Sequence, residues 1–158
     1  MSLYQRVDTD LPRWMARHGI TLLRVSLGVV FFWFGVLKFF PGLSPAQGLA
    51  MKTMAILTFG LFSPVACLRV LAAWECLIGL GLLSGRFLRT VLLLMFVQML
   101  GTISPMFLFP EETFLRIPYA PSLEGQYIIK NLVLISAGVV IGATVRGGRL
   151  IADPGGSR

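Results

Sequence analysis

The sequence predicts an all-α integral membrane protein. Its architecture is a four-helix bundle with a short outer-surface or re-entrant helix between the first and second spans. Three observations predict this. Hydrophobic residues fill 56% of the 158 positions and charged residues only 13%, whereas an average soluble domain carries about 25% charge. Four runs are long and apolar enough to cross a bilayer, which takes about 20 residues of helix. The basic residues gather at the ends of those runs, where membrane chains keep them. A soluble fold of this length has too little interior to hide so much apolar surface. The formal net charge of +7 does not point to nucleic acid, because the arginines form no patch interleaved with stacking aromatics.

In chain order, residues 1–18 form a cytoplasmic or interfacial segment. Its stretch "DTDLPRWMARHG" reads as a short interfacial helix capped by Asp10, with Pro12 in the first turn and Trp14 among headgroups. His18 belongs to the same solvated zone. Residues 19–145 form the bundle, with spans near 19–40, 66–85, 88–109 and 127–145. The first apolar run is too long for a cleavable signal and no small-x-small site follows it, so it stays as an anchor. The segment 46–62, between Pro45 and Pro64, contains Lys52. A fifth span there would reverse the charge bias, so it is expected to lie on the outer surface or dip part-way in. Pro105 kinks the third span. Residues 146–158 form a basic cytoplasmic tail without regular structure.

Orientation follows the basic residues. Arg6, Arg13 and Arg17 precede the first span, Arg86 and Arg89 fill the turn "SGRFLR", and Arg146, Arg149 and Arg158 follow the fourth. The opposite loops mix Lys52 and Arg116 with Glu111, Glu112 and Glu124. Both termini are therefore expected on the cytoplasmic side of a plasma membrane.

The polar residues within the spans are periodic. Arg24, Gly28, Phe31, Gly35 and Lys38 share one face of the first span. Leu68, Ala72, Glu75, Gly79 and Leu82 share one in the second, and Leu94, Gln98, Gly101 and Pro105 one in the third. Asn131, Ile135, Gly138 and Gly142 do so in the fourth, with Lys130 beside them. Small residues let membrane helices approach closely, and intramembrane charges face the bundle interior. Both arguments select the same faces. Glu75 and Gln98 lie roughly 13 to 17 Å below the outer end, near mid-membrane. The expected site has Glu75 as its central acid, surrounded by Lys38, Arg24 and Lys130. Gln98 and Asn131 add hydrogen bonds, and Trp33 and Trp74 flank the site. Each residue also has a plainer reading. Lys38, Lys130 and Arg24 can snorkel to headgroups, Glu75 can sit in a structural salt bridge, Gln98 can join helices, and the tryptophans can simply pack. The pairs Gly81/Gly85 and Gly138/Gly142 read as contacts inside the bundle. Cys67 and Cys76 stand roughly 13 Å apart along one helix, too far for a disulfide. No metal-ligand spacing and no nucleophile–base motif occurs.

The segments "LLRVSLGVVFFWFGVLKFFPGLSPA", "LAAWECLIGLGLL" and "EGQYIIKNLVLISAGVVI" resemble the DoxX-like superfamily of four-helix membrane proteins. Within it, "KFFPGLSPA" and "QYIIKN" are most similar to the YkgB/RclC branch of bacterial inner-membrane proteins. The resemblance implies a bacterial inner-membrane location and a link to oxidative or reactive-chlorine stress. Some wider relatives serve as membrane subunits of thiosulfate:quinone oxidoreductases or partner soluble redox enzymes. It carries over no catalytic residues, and this chain lacks a thiol pair.

Three functions compete at this point. The first is an accessory membrane subunit that holds a quinone-like or other small lipophilic ligand near Glu75 and serves a redox partner protein. The second is a small proton- or solute-conducting transporter, against which stand the short chain and the lack of an inverted repeat. The third is a structural scaffold. Independent enzyme activity is not expected, and a homo-oligomer is compatible with all three.

Overall fold

The computed structural model describes residues 3–40, 42–44 and 46–148. The side chains of Arg6 and Asp10 lie outside the described residues, as do Pro45, Arg149, Arg158 and the rest of the expected tail. Four helices are long and apolar enough to span a membrane: Leu11–Leu37, Pro64–Ser84, Leu88–Leu108 and Leu123–Thr144. The protein is an all-α, multi-pass membrane bundle.

Helix α1 runs unbroken over Leu3–Leu37 with Pro12 inside it. The separate interfacial helix expected to start at Asp10 is therefore not found. A proline removes one backbone donor and crowds the carbonyl four residues back. In the first third of a 35-residue helix that loss stays local, and the helix continues beyond it. Lys38 follows directly, in the turn that closes α1. Helix α2, Gln47–Leu57, has 11 residues. At 1.5 Å per residue it is about 16 Å long, too short to cross a bilayer. It packs against the helical segments Pro64–Ser84 and Pro105–Leu108, burying Leu49 and Thr53.

Helix α3 covers Pro64–Ser84. Ser63 caps it by accepting from the Ala66 N–H at 3.3 Å, and Pro64 occupies the first turn, where its missing N–H costs nothing. Gly85, at φ +70°, ends it in the left-handed conformation that glycine adopts without strain. A tight turn leads to α4, Leu88–Ile103. Pro105 breaks the ladder, and the third span continues as α5, Pro105–Leu108. Helix α6, Pro110–Thr113, and a small hairpin of β1, Phe114–Arg116, with β2, Ala120–Pro121, follow. The strands pair antiparallel, Phe114 with Pro121 and Arg116 with Ala120. Helix α7, Leu123–Thr144, is capped by Ser122, whose Oγ accepts from the Gly125 N–H at 3.1 Å.

The bundle thus has a tight-turn end, at Gly85–Phe87, and an α2 end, where α2, α5, α6 and the hairpin gather. Glycines set the helix spacing on one side. A Cβ on Gly79 would come within 2.5 Å of the Phe32 backbone nitrogen, and one on Gly35 within 2.9 Å of the Cys76 nitrogen. Helices α1 and α3 therefore touch backbone to backbone. Gly138 faces Met95 and Phe96, and Gly81 faces Val91, so both glycine pairs face neighbours within the bundle. Leu27, Ile78, Leu82, Met95 and Ile141 form the buried core toward the tight-turn end.

Candidate binding site in the bundle

Above that core, toward the α2 end, the helices part around a cavity of about 700 Å³. Lys38, Glu75, Gln98, Trp74, Lys130 and Asn131 all contribute to its wall. The helical face read from the sequence explains why. Glu75 lies 11 residues into α3, or about 16 Å from its start, and its carboxylate points inward. Lys38 reaches it from the end of α1, with Nζ 2.6 Å from Glu75 Oε2. Gln98 reaches it from α4, its Nε2 donating to Glu75 Oε1 at 2.6 Å. One carboxylate therefore ties three helices together. Lys38 Nζ also donates to the Phe34 carbonyl at 3.4 Å.

This cluster is well shielded. The Lys38 and Glu75 side chains are 13% and 10% exposed. In a low-dielectric site an unpaired carboxylate would be costly, and the two short contacts offset that cost. Gln98 Oε1 is buried without a hydrogen-bond partner among the described residues. Such an orphan acceptor costs about 1–3 kcal/mol. The wall thus carries a cation and an anion beside mostly apolar surface, with the unsatisfied acceptor buried behind them.

Other expected members stand elsewhere. Arg24 does not approach Glu75. Its guanidinium lies against Gly85 at the tight-turn end and donates to the carbonyls of Leu82 and, at 3.1 Å, Leu83. Those carbonyls form the negative end of the α3 dipole and lack helical partners, so they attract a cation more strongly than a carboxylate far along the bundle. Trp33 is 64% exposed and lines a separate shallow apolar groove with Val29, Phe32 and Leu83. It faces lipid, not Glu75. Lys130 lines the cavity but is exposed, and its Nζ sits 5.8 Å from the Tyr127 ring centre, a cation–π distance. It makes no ion pair with Glu75 among the described residues. The expected ring of three cations therefore reduces to Lys38. Asn131 is half-buried on the wall. Trp74 lines the cavity while its Nε1 donates to the Leu94 carbonyl at 3.3 Å.

The sequence reading missed the outer part of the wall: Glu124, Tyr127 and the α2 residues Leu49, Thr53 and Met54. Stepping back from Asn131 by four and seven positions gives Tyr127 and Glu124, so the helical period contained that signal. Nothing local marked α2 as cavity wall. Among the described residues, no group of three His, Cys, Asp or Glu is placed to hold a metal ion.

A family model described as DoxX matches residues 19–110, more than half of the chain. The matched stretch includes Lys38, Glu75 and Gln98, and ends before α7. No curated protein and no solved structure matches.

Proposed function

The chain belongs to the DoxX family, and from that premise we propose that it is a membrane-embedded binding protein. It holds a small lipophilic molecule with a polar head, quinone-like in character, as an accessory subunit to a redox partner. One observation carries this reading. A cavity of about 700 Å³ within the membrane-spanning bundle combines apolar walls with the Lys38–Glu75–Gln98 cluster. That is the usual composition of a small-molecule site: mostly apolar surface and a few placed polar groups. Lys38 supplies donors for a carbonyl or hydroxyl oxygen and Glu75 a group able to exchange a proton, while the buried Gln98 amide holds the carboxylate in place.

The conducting-path reading is weaker. Below Glu75 the bundle closes over Leu27, Ile78, Leu82, Met95 and Ile141, all at most 3% exposed. With Arg24 drawn off to the α3 terminus, the polar groups among the described residues form no chain across one copy of the protein. The scaffold reading explains the ion pair but leaves the cavity without a purpose.

A finer placement accompanies the proposal. The "KFFPGLSPA" and "QYIIKN" segments favour the YkgB/RclC branch, and with it a role in oxidative or reactive-chlorine stress in a bacterial inner membrane. Arg13, Arg17, Arg86, Arg89 and Arg146 flank the tight-turn end, which supports placing that end in the cytoplasm. Arg69, exposed one turn into α3 at the other end, runs against the bias. Purification in native-lipid nanodiscs followed by mass spectrometry tests the binding reading. A protein that carries no co-purifying lipophile and shows no saturable uptake of added quinone would overturn it.

A further inference from the structure

On the ligand-binding reading above, the bound molecule needs a way in, and the walls of the cavity differ in what they would let pass. The tight-turn end is plugged by the buried core just described. The α2 end is roofed. Leu49 and Thr53 of α2 are buried, Ala50 and Met54 face the cavity, and Lys52 Nζ pairs with Glu112 Oε1 at 2.7 Å. The Glu112 carbonyl in turn accepts from Ser122 Oγ at 2.6 Å, so the roof is joined to the cap of α7.

The sides are unequal. Helices α1 and α3 meet backbone to backbone at Gly35 and Gly79. Helices α4 and α7 meet at Gly138, where a Cβ would come within 2.2 Å of Met95 Cε. Helices α3 and α4 are crossed by the Trp74–Leu94 and Gln98–Glu75 hydrogen bonds, so that side is tied shut by hydrogen bonds even though Val70 and Val97, 62% and 49% exposed, line the cavity there. Between α1 and α7, among the described residues, neither a glycine contact nor a side-chain hydrogen bond joins the helices. Val30 and Phe34 of α1 and Tyr127 of α7 line the cavity from this seam, yet are 37%, 39% and 43% exposed. All three lie within spanning segments. An opening along this seam therefore gives onto the bilayer.

We infer that the ligand passes sideways, between α1 and α7, directly from the bilayer. The molecule is then a bilayer-borne amphiphile and not a water-soluble solute. Its polar head meets Lys130 at the seam, which has no carboxylate partner among the described residues, before it meets Lys38. The α2 roof stays shut during this passage.

The test uses the full chain in phosphatidylethanolamine/phosphatidylglycerol vesicles, with Trp14→Phe and Trp33→Phe so that Trp74 alone reports. Decylubiquinone delivered from a second vesicle population quenches Trp74 as it arrives, and stopped-flow fluorescence gives the rate. Leu134 also lines the cavity from α7, so Val30→Phe and Leu134→Phe narrow the way in from opposite helices, and either suffices if the other fails to fold. A phenyl ring in the seam obstructs the path, so arrival slows about tenfold, equivalent to about 1.4 kcal/mol on the barrier. Lys52→Ala loosens the roof and leaves the rate unchanged. The inference is overturned if folded seam variants match the parent, or if Lys52→Ala speeds arrival. If the parent shows no saturable quenching at all, the ligand-binding reading itself fails, which is a separate result.

Discussion

Replacing Lys38 with methionine should be the most destabilising single change in the polar cluster. Its cost exceeds that of Glu75→Gln, although both break the same pair. At 2.6 Å and an effective dielectric near 20, Coulomb attraction between the charges is about 6 kcal/mol. Desolvation of both groups offsets much of this, and breaking a buried pair from one side typically costs about 3–5 kcal/mol. The asymmetry comes from depth. After Glu75→Gln, Lys38 can extend past the end of α1 toward headgroups. After Lys38→Met, Glu75 stays about 16 Å along α3 with only Gln98 as donor. We expect about 3 kcal/mol for Lys38→Met and about half that for Glu75→Gln. The double variant should lie near Glu75→Gln, because it leaves no unpaired carboxylate. Unfolding by sodium dodecyl sulfate in mixed micelles, followed by circular dichroism, measures all four corners of the cycle. Equal costs for the two single variants, or additive costs in the double, would refute this account of the cluster.

Other expectations follow from the same geometry. Gly79→Ala drives a methyl group into the α1 backbone and should destabilise by about 1–3 kcal/mol in the same assay. Gly101→Ala meets open space, so it should be neutral or stabilise by up to about 1 kcal/mol through helix propensity. Arg24→Met removes two charged hydrogen bonds from the α3 terminus. It should cost about 1.5–3 kcal/mol while quinone affinity, measured by Trp74 quenching, stays near the parent value. Lys52→Ala removes an exposed pair, 57% and 42% accessible, and should shift stability by less than about 1 kcal/mol.

The sequence by itself determined the solvent, the span number and the inward faces. Those follow from local rules: run length against bilayer thickness, and a helical period that places Lys38, Glu75, Gln98 and Asn131 on interior stripes. It went wrong where residue type outweighed position. Trp33 lies two residues from Phe31, about 200° around the helix, so the same period already placed it on the far side. Arg24 shares the stripe with Lys38, but a stripe gives a face and not a partner. Only the tertiary structure decided that the carbonyls ending α3 lie beside Arg24, that α2 closes over the bundle, and that Gln98 keeps an unpaired oxygen. Each depends on distances between segments far apart in the chain. Those distances are set by how closely glycines let α1 approach α3 and α4 approach α7, and no local pattern encodes them.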